Sequence, residues 1–300
     1  MISVLMLTYN REKLVGRAIE GILAQTYKDF EFIIVDNGST DKSGNIAEEY
    51  AERYNRIRVI HREKGTIGAG RNTALDAAKG EYITFIDDDA IIEADYLEFL
   101  LSLLTENGAD VSICGAADKA FDEKLVMTAE EALLELMRRK KYNVAFPTKL
   151  FRREISESLR FPEERAFDDI ALMYRLLANA KRVAYHGLPK YTFYRHSDNN
   201  SAWTTNYSLL TPGILEEYLE SYRLRTEWLS DKFPESAGLF RYFELSFMIS
   251  MVEKINRFDL KDCRKQLDYM LSVLSADKQA LLGSSEICDF EKEWMQKYVL

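Results

Sequence analysis

Three consecutive carboxylates, Asp87, Asp88 and Asp89, follow a short run of β-branched and aromatic residues at positions 82–86. Such a run predicts a buried strand, along which side chains alternate, so Asp87 and Asp89 are expected on one face and Asp88 on the other. Three adjacent like charges repel one another unless a cation or several donors lie among them. Because ligands of open α/β sheets bind at the carboxyl ends of strands, the cluster suits a hard divalent cation that can bridge a diphosphate. The alternative is a solvated acidic loop that caps a helix.

Two further predicted strands also end in polar residues whose chemistry suits a nucleotide. Thr8, Tyr9 and Asn10 follow the first strand and offer hydroxyls, an amide and an aromatic face for a base. Asp36 ends the second strand, and its carboxylate can accept a hydrogen bond from a ring N–H or a ribose hydroxyl. Its alternative role is that of an ordinary turn or cap residue.

A glycine-rich segment, residues 65–72, precedes the acidic cluster. Its spacing matches neither a phosphate-binding P-loop nor a dinucleotide-binding fingerprint. Arg71 within it could hold a phosphate through its forked guanidinium, or it could be an ordinary surface arginine.

The elements that must position these residues alternate between strands and helices over the first 115 residues. This alternation predicts a parallel sheet with helices on both faces. Beyond it, the sequence predicts one helix in a charged stretch at 116–141, an extended segment, a helix at 167–180 and two short strands. From about residue 212, apolar residues recur at helical spacing, which predicts three or four helices without strands. The predicted strands are 2–7, 30–35, 58–61, 82–86, 110–115, 182–185 and 190–194.

Composition narrows the function further. The 300 residues are 47% hydrophobic, enough for a sizeable core, and the net charge of -9 argues against a nucleic-acid partner. The three cysteines have no metal-ligand spacing, which indicates free thiols in a reducing compartment. Neither a signal peptide nor an apolar run of about 20 residues is apparent, so a cytoplasmic location is expected, with the inner face of the membrane as a further option.

Taken in order, four stretches of the first 200 residues resemble the family-two glycosyltransferases of bacterial surface-polysaccharide type. These enzymes have the GT-A fold and invert the anomeric configuration of the sugar that they transfer. The four stretches are 3–11 with 22–27; 34–41; 70–72 with 78–89; and 149–151 with 160–163 and 168–169. The resemblance implies an α/β fold in which a Rossmann-like, mixed and mostly parallel sheet is flanked by helices. It also implies a catalytic domain at 1–207, with a nucleotide-sugar-binding half at 1–115 and an acceptor half at 116–207. A helical region at 208–300 would follow.

The resemblance also implies roles for the strand-end residues. Thr8 and Tyr9, with Asn10 beside them, would hold and stack a uracil, and Asp36 would lie on the edge of its ring. Arg71 would lie near the nucleotide.

The acidic cluster matches the DXD motif of the family. Asp89 is the expected ligand of Mn²⁺ or Mg²⁺, and Asp87 either shares the metal or, like Asp88, contacts the ribose. Asp169 matches the general base of inverting members. Asp168 stands where a glutamate is usual, which leaves open which of the two carboxylates faces the acceptor.

A later tract resembles the segment that closes over the donor in this family. It contains Arg195, His196 and Ser201, although His196 also reads as an ordinary surface histidine.

The predicted activity is transfer of a sugar from a UDP-sugar to a hydroxyl of a glycan or lipid-linked saccharide. Two alternatives remain. One is a non-catalytic member that binds the nucleotide sugar. The other is a sugar nucleotidyltransferase, although the first loop lacks the glycine-rich, basic character of those enzymes. The C-terminal helices could pack as a core, form a homodimer face or shape an acceptor site during peripheral association with a membrane.

Overall fold

The computed structural model describes residues 1–118, 121–157, 159–194 and 202–300. The chain divides into two compact units, Met1–Tyr194 and Arg195–Leu300. The domain boundary after residue 207, and the two halves predicted before it, stay predictions.

The first unit contains one sheet, which has nine strands in the described part of the chain. The strands are β1 (Ile2–Thr8), β2 (Phe30–Asp36), β3 (Ile57–His61), β4 (Tyr82–Asp87), β5 (Ile91–Ile92), β6 (Val111–Ala116), β7 (Lys124–Met127), β8 (Lys149–Arg152) and β9 (Val183–Thr192). Their order is β3-β2-β1-β4-β8-β6-β9-β5, and β7 also pairs with β9. Six of them, β1 to β4, β6 and β9, run in the same direction, whereas β5, β7 and β8 run against it. The mixed, mostly parallel sheet is confirmed.

Helices cover this sheet. They are α1 (Val15–Leu23), α2 (Ser43–Arg53), α3 (Ile67–Ala77), α4 (Tyr96–Glu106), α5 (Ala129–Arg138) and α6 (Asp168–Asn179). Strands β1, β2 and β4 are buried along nearly their whole length, as is usual for parallel strands with helices on both faces. Helix α1 turns four apolar side chains towards this core: Val15, Ala18, Ile19 and Ile22.

The prediction of two separate strands at 182–185 and 190–194 is wrong. A single strand, β9, replaces the two short strands predicted around Gly187 and Pro189. Its pairing with β6 shifts register at Gly115, opposite Pro189, and such an irregularity accommodates a residue that has no N–H to donate. Strands β5 and β7 were not predicted, because segments of two and four residues at a sheet margin carry little periodic signal.

The described part of the second unit contains helices joined by loops, and no strand. Its helices are α7 (Pro212–Lys232), α8 (Ala237–Arg257), α9 (Arg264–Ala276), α10 (Lys278–Leu282) and α11 (Asp289–Tyr298). The prediction of three or four helices missed the five-residue α10. Helix α7 begins with a Thr211 hydroxyl cap and Pro212 in the first turn, a favoured start for a helix. Within the described ranges, none of the helices has both the length and the apolar character that a membrane span requires.

Candidate active site

The polar residues that end β1, β2 and β4 meet at the carboxyl edge of the sheet. In the parallel registers, Thr8 pairs with Asp36, and Leu7 pairs with Asp87. The backbone N–H of Asn37 also donates to the Thr8 carbonyl at 2.9 Å. The strand pairing therefore places these strand ends next to one another, whereas the ligands assigned to them stay predictions.

The loop after β1 is fixed by Asn10, which adopts a left-handed backbone conformation with φ 51°. Its N–H donates to the Ser39 hydroxyl at 3.1 Å, and its side-chain oxygen accepts from the Thr40 N–H at 2.8 Å. These contacts hold the loops after β1 and β2 together. In the same loop, the ring of the half-buried Tyr9 lies beside the Lys64 ammonium, which is 4.6 Å from the ring centroid.

Asp36 is buried, and both of its carboxylate oxygens already accept hydrogen bonds. One accepts from the Ser39 N–H at 3.0 Å, and the other lies 3.0 Å from His61 Nδ1. His61 Nε2 in turn lies 2.9 Å from Glu48. The hydrogen bond to Asp36 is the main cause that raises the pKa of His61 above its ordinary value. His61 was not among the predicted site residues, although it ends the predicted strand 58–61, and in the structure it pairs with Asp36.

Asp87 is the last residue of β4 and is held by Tyr191 of β9. The Tyr191 hydroxyl donates to Asp87 Oδ2 at 2.9 Å and accepts from the Asp87 N–H at 3.0 Å. Burial raises the pKa of Asp87 to about 6, and Arg71 opposes that rise.

Asp88 and Asp89 lie beyond the end of β4, so the strand alternation predicted for the three aspartates does not extend to them. Burial raises the pKa of Asp88 to about 7, and the charge of Arg11 opposes that rise. Arg11 Nε lies 3.9 Å from Asp88 Oδ1. Asp89 is buried, and its backbone carbonyl accepts from Arg17 at 2.5 Å.

The carboxylates of this cluster fit a divalent cation whose coordination is completed by oxygens of a bound molecule. Burial raises the pKa of two of the carboxyls, Asp87 and Asp88. A nearby positive charge would stabilise their ionised forms. Over the described ranges, no three acidic, histidine or cysteine side chains are grouped closely enough to hold a metal by themselves. Mg²⁺ commonly binds one or two carboxylates together with substrate phosphates, so the missing ligands would come from a diphosphate.

Asp168 and Asp169 open helix α6, where carboxylates suit the positive end of the helix dipole. Arg71 of α3 contacts both of them. Its Nη1 donates to Asp168 Oδ1 at 3.0 Å and also to Asp169 Oδ1. Burial acts to lower the pKa of Arg71, but Asp169, Asp168 and Asp87 outweigh it and raise that pKa further. The guanidinium is therefore a fixed positive charge between the acidic cluster and the start of α6.

The two carboxylates differ in exposure. The Asp168 side chain is 5% exposed, whereas that of Asp169 is 26% exposed. Burial raises the pKa of Asp168 to about 6, and its Oδ2 has no hydrogen-bond partner within the described ranges. Asp169 is thus the member of the pair that is open to a ligand from solvent.

Helix α3 is also fastened to the loop that precedes α6. The Asn72 amide donates to the Phe161 carbonyl and to Glu163, both at 3.0 Å, and its oxygen accepts from the Phe161 N–H at 2.9 Å. At Gly68 a Cβ atom would come within 2.3 Å of the Pro162 carbonyl oxygen. The glycine therefore permits a close backbone approach.

Three predicted site residues, Arg195, His196 and Ser201, lie outside the described residues. Of the others, Asp169 contacts Arg71 directly, and Asp87 acts on the same arginine by its charge. Arg71 contacts carboxylates in this structure, and its predicted place near a nucleotide stays a prediction. A charged acidic edge with an exposed carboxylate and a half-buried aromatic ring can bind a metal–diphosphate group and accept a proton beside it.

Comparison with known proteins gives the family. Residues 3–170 match the model of glycosyl transferase family 2. The glycosyltransferase GlyG of Streptococcus pneumoniae is 35% identical over an alignment of 217 positions, which covers 66% of this chain and 71% of GlyG.

Two solved structures share the fold. S. aureus TarS in complex with UDP-GlcNAc superposes with a TM-score of 0.71 at 24% identity, covering 93% of this chain and 81% of that one. The mannosyltransferase PcManGT from Pyrobaculum calidifontis, in complex with GDP-Man and Mn²⁺, has a TM-score of 0.53 at 18% identity. It covers 99% of this chain and 84% of its own. The GT-A fold expected from the sequence is confirmed.

Proposed function

The chain belongs to glycosyltransferase family 2, and from that premise we propose that it transfers a sugar from a nucleoside-diphosphate sugar to an acceptor hydroxyl with inversion at the anomeric carbon. One observation carries the proposal. Arg71 contacts the partly exposed Asp169 at the start of α6, and it also interacts electrostatically with Asp87 at the end of β4. In the proposal, a carboxylate that binds the metal–diphosphate group and a carboxylate that accepts a proton both interact with the same cation.

The proposed donor is a UDP-sugar. Its uracil would stack on Tyr9, whose ring is half-buried, while Thr8 and Asp36 would contact the base edge or the ribose. Asp36 would do so with the lone pairs that its bonds to Ser39 and His61 leave available. The UDP-GlcNAc in the TarS structure supports a uridine nucleotide by analogy of fold.

In the proposed mechanism, Asp169 accepts the proton of the acceptor hydroxyl as that oxygen forms a bond to the anomeric carbon. The bond from this carbon to the diphosphate oxygen breaks on the opposite face, and the nucleoside diphosphate leaves with the electron pair. Asp169 can reach an acceptor because its side chain is the exposed one of the pair.

A divalent cation, Mn²⁺ or Mg²⁺, would neutralise charge on the departing diphosphate when bound. Asp89 and Asp87 would hold it, and Asp88 would contact the ribose. The Mn²⁺ in the PcManGT complex supports metal use in this fold.

The acceptor we propose is a glycan or a lipid-linked saccharide in the assembly of bacterial surface polysaccharide. All three cysteines are free thiols, which supports a location in the reducing cytoplasm. A lipid-linked acceptor would bring the protein to the inner face of the membrane. Dimerisation through the C-terminal helices remains part of the proposal.

The test is release of nucleotide from a panel of nucleotide sugars, each with Mn²⁺, with Mg²⁺ and with EDTA. Metal-dependent release from one donor would identify the nucleotide and the sugar together. If UDP binds by calorimetry while no donor is turned over, even with candidate acceptors added, the non-catalytic alternative is favoured. Absence of binding by every nucleotide would overturn the proposal.

A further inference from the structure

His61 ends strand β3 and lies between the carboxylates of two neighbouring elements. Its Nδ1 lies 3.0 Å from Asp36 Oδ2 of β2, and its Nε2 lies 2.9 Å from Glu48 Oε1 of α2. A neutral imidazole has one N–H and one lone pair, so only the imidazolium donates to both carboxylates. The hydrogen bond to Asp36 is the main cause of the raised His61 pKa, and Glu48 adds to it. The ring therefore bridges an enclosed carboxylate, 9% exposed in Asp36, and an outer one, 46% exposed in Glu48.

Helix α2 approaches this pair closely. At Gly44, in its first turn, a Cβ atom would lie 2.5 Å from Asp36 Oδ2 and 3.1 Å from His61 Cε1. Glu48 follows four residues later, on the same face of the helix. The parallel pairing of β2 with β3 places Asp36 opposite His61. Two strands and one helix thus hold the three side chains Asp36, His61 and Glu48, which we call the His61 bridge.

The His61 bridge helps to orient the Asp36 carboxylate. His61 Nδ1 donates to Oδ2, and the Ser39 N–H donates to Oδ1 at 3.0 Å. With a donor on each oxygen, the plane of the carboxylate is fixed, and so are the directions of its remaining lone pairs. Without the His61 donor, the group would be held through one oxygen and could turn about the bond to Cβ, whose torsion has a broad preference.

A fixed carboxylate can select between pyrimidine bases. Uracil presents a ring N–H where cytosine presents a nitrogen lone pair, so an ionised carboxylate attracts the first and repels the second. A site built to bind an N–H rejects an analogue that lacks it, because a buried polar group is then left unpaired. Asp36 pairs with Thr8 in the parallel register, and Tyr9 follows Thr8, so the carboxylate lies at the edge where the base is proposed to stack.

We propose that His61 is a positioning residue, which holds the Asp36 carboxylate in the orientation that selects uracil over cytosine. The inference rests on the proposed function for the contact between Asp36 and the base. The group that acts on Asp36 is the Nδ1–H, whereas the bond from Nε2 to Glu48 keeps the ring charged and oriented.

The experiment compares His61→Asn and His61→Gln with wild type by calorimetry with UDP and with CDP, each in the presence of Mn²⁺. An asparagine amide can donate close to the place of the Nδ1–H. A glutamine amide takes the place of the Nε2–H and leaves Asp36 without its donor. His61→Gln should weaken UDP binding by about tenfold, which corresponds to one hydrogen bond. Its CDP affinity should fall by no more than about twofold, and His61→Asn should keep most of the preference for UDP.

Arg58→Gln is the matched control, because Arg58 is an exposed residue of the same strand and its replacement should leave both affinities unchanged. With the donor that the panel identifies, His61→Gln should raise KM and leave kcat within about twofold of wild type, since a base contact is equally strong in the ground state and the transition state. Equal losses of UDP and CDP affinity in His61→Gln, or an unchanged UDP affinity, would overturn the inference.

A titration of the histidine rings by NMR separates this inference from the proposed function, since it requires neither nucleotide nor turnover. The chain has three histidines, and the signal lost in His61→Gln identifies His61. Asp36→Asn and Glu48→Gln should each lower the His61 pKa towards that of a free histidine, with the larger fall in Asp36→Asn. An unchanged pKa in Asp36→Asn would show that His61 does not hold Asp36. If the wild type binds neither nucleotide, the proposed function fails, and the titration still decides whether the contact exists.

Discussion

Asp168 and Asp169 are neighbours in the first turn of α6, yet their surroundings suit them to different tasks. Asp168 is enclosed, and burial raises its pKa to about 6. Asp169 keeps 26% of its side chain exposed while one oxygen stays in contact with Arg71. A general base must reach its substrate before its basicity matters, so exposure selects Asp169. The difference in burial therefore supports the proposal that Asp169, and not Asp168, is the base.

Asp169→Asn should keep UDP binding and lose transfer by about 100-fold or more, because the amide cannot accept the acceptor proton. Transfer kinetics and calorimetry with UDP and Mn²⁺ measure the two effects. Asp168→Asn, which makes the same change at the enclosed position, serves as the comparison and should cost less. Transfer by Asp169→Asn at close to the wild-type rate would show that the base lies elsewhere.

Tyr191→Phe should weaken the support of Asp87, because it removes both hydrogen bonds of the Tyr191 hydroxyl. We expect a loss of about 1–3 kcal/mol in the free energy of unfolding and weaker binding of UDP with Mn²⁺. Denaturant unfolding and calorimetry measure these changes.

Tyr185→Phe is the control for Tyr191→Phe. Tyr185 lies on the same strand and is buried, but its hydroxyl has no hydrogen-bond partner within the described ranges. Its replacement should be neutral or slightly stabilising. Equal losses in the two variants would show that the Asp87 contact has no special weight.

At the scale of elements, α3 gives the glycine-rich segment a structural explanation. At Gly70 a Cβ atom would lie 2.2 Å from the side chain of Leu7, which can move, whereas at Gly68 it would meet the backbone of Pro162. The spacing of these glycines therefore follows from the approach of α3 to β1 and to the 161–163 loop. The sequence signal was weak because such contacts link residues that are far apart in the chain.

Gly68→Ala should therefore destabilise the first unit by about 1–3 kcal/mol, the usual cost of overpacking, since the obstacle is a backbone carbonyl. Gly21→Ala is its counterpart in α1, where a Cβ atom meets nothing within 4 Å. That change should stabilise by about 0.5–1 kcal/mol, because alanine favours helix. Denaturant unfolding of both variants checks the contrast, which fails if Gly68→Ala is neutral.

At the scale of the whole molecule, the sequence predicted what depends on local pattern. Strands β1, β2 and β4 are long apolar runs, and the polar residues after them lie at one edge because parallel strands share a direction. The reversed direction of β8 between β4 and β6 depends on partners more than 30 residues away, which periodicity cannot register. The same holds for the contact between Arg71 and α6, whose members are 97 and 98 positions apart.

The protein carries a net charge of -9, and desolvation disfavours the ionised form of three of its aspartates, Asp87, Asp88 and Asp168. The pKa values of Asp87 and Asp88 are raised to about 6 and about 7, above the value of 3.8 for a free aspartate. Between about pH 4 and pH 7, the native state therefore binds more protons than the unfolded state. The free energy of unfolding therefore falls as pH rises from about 4 to 7, and the whole penalty is present above pH 7.

A cation bound among these carboxylates should offset that penalty, so Mg²⁺ should raise Tm more at about pH 8 than at about pH 5, where the carboxyls hold protons. Thermal unfolding at matched ionic strength measures the difference. Asp89→Asn should abolish the gain at the higher pH, because it removes a proposed metal ligand. Asp76→Asn makes the same charge change at an exposed carboxylate and should preserve the gain. A Tm gain that is equal at both pH values, or that survives Asp89→Asn, would mean that Mg²⁺ acts on the surface at large and not at the end of β4.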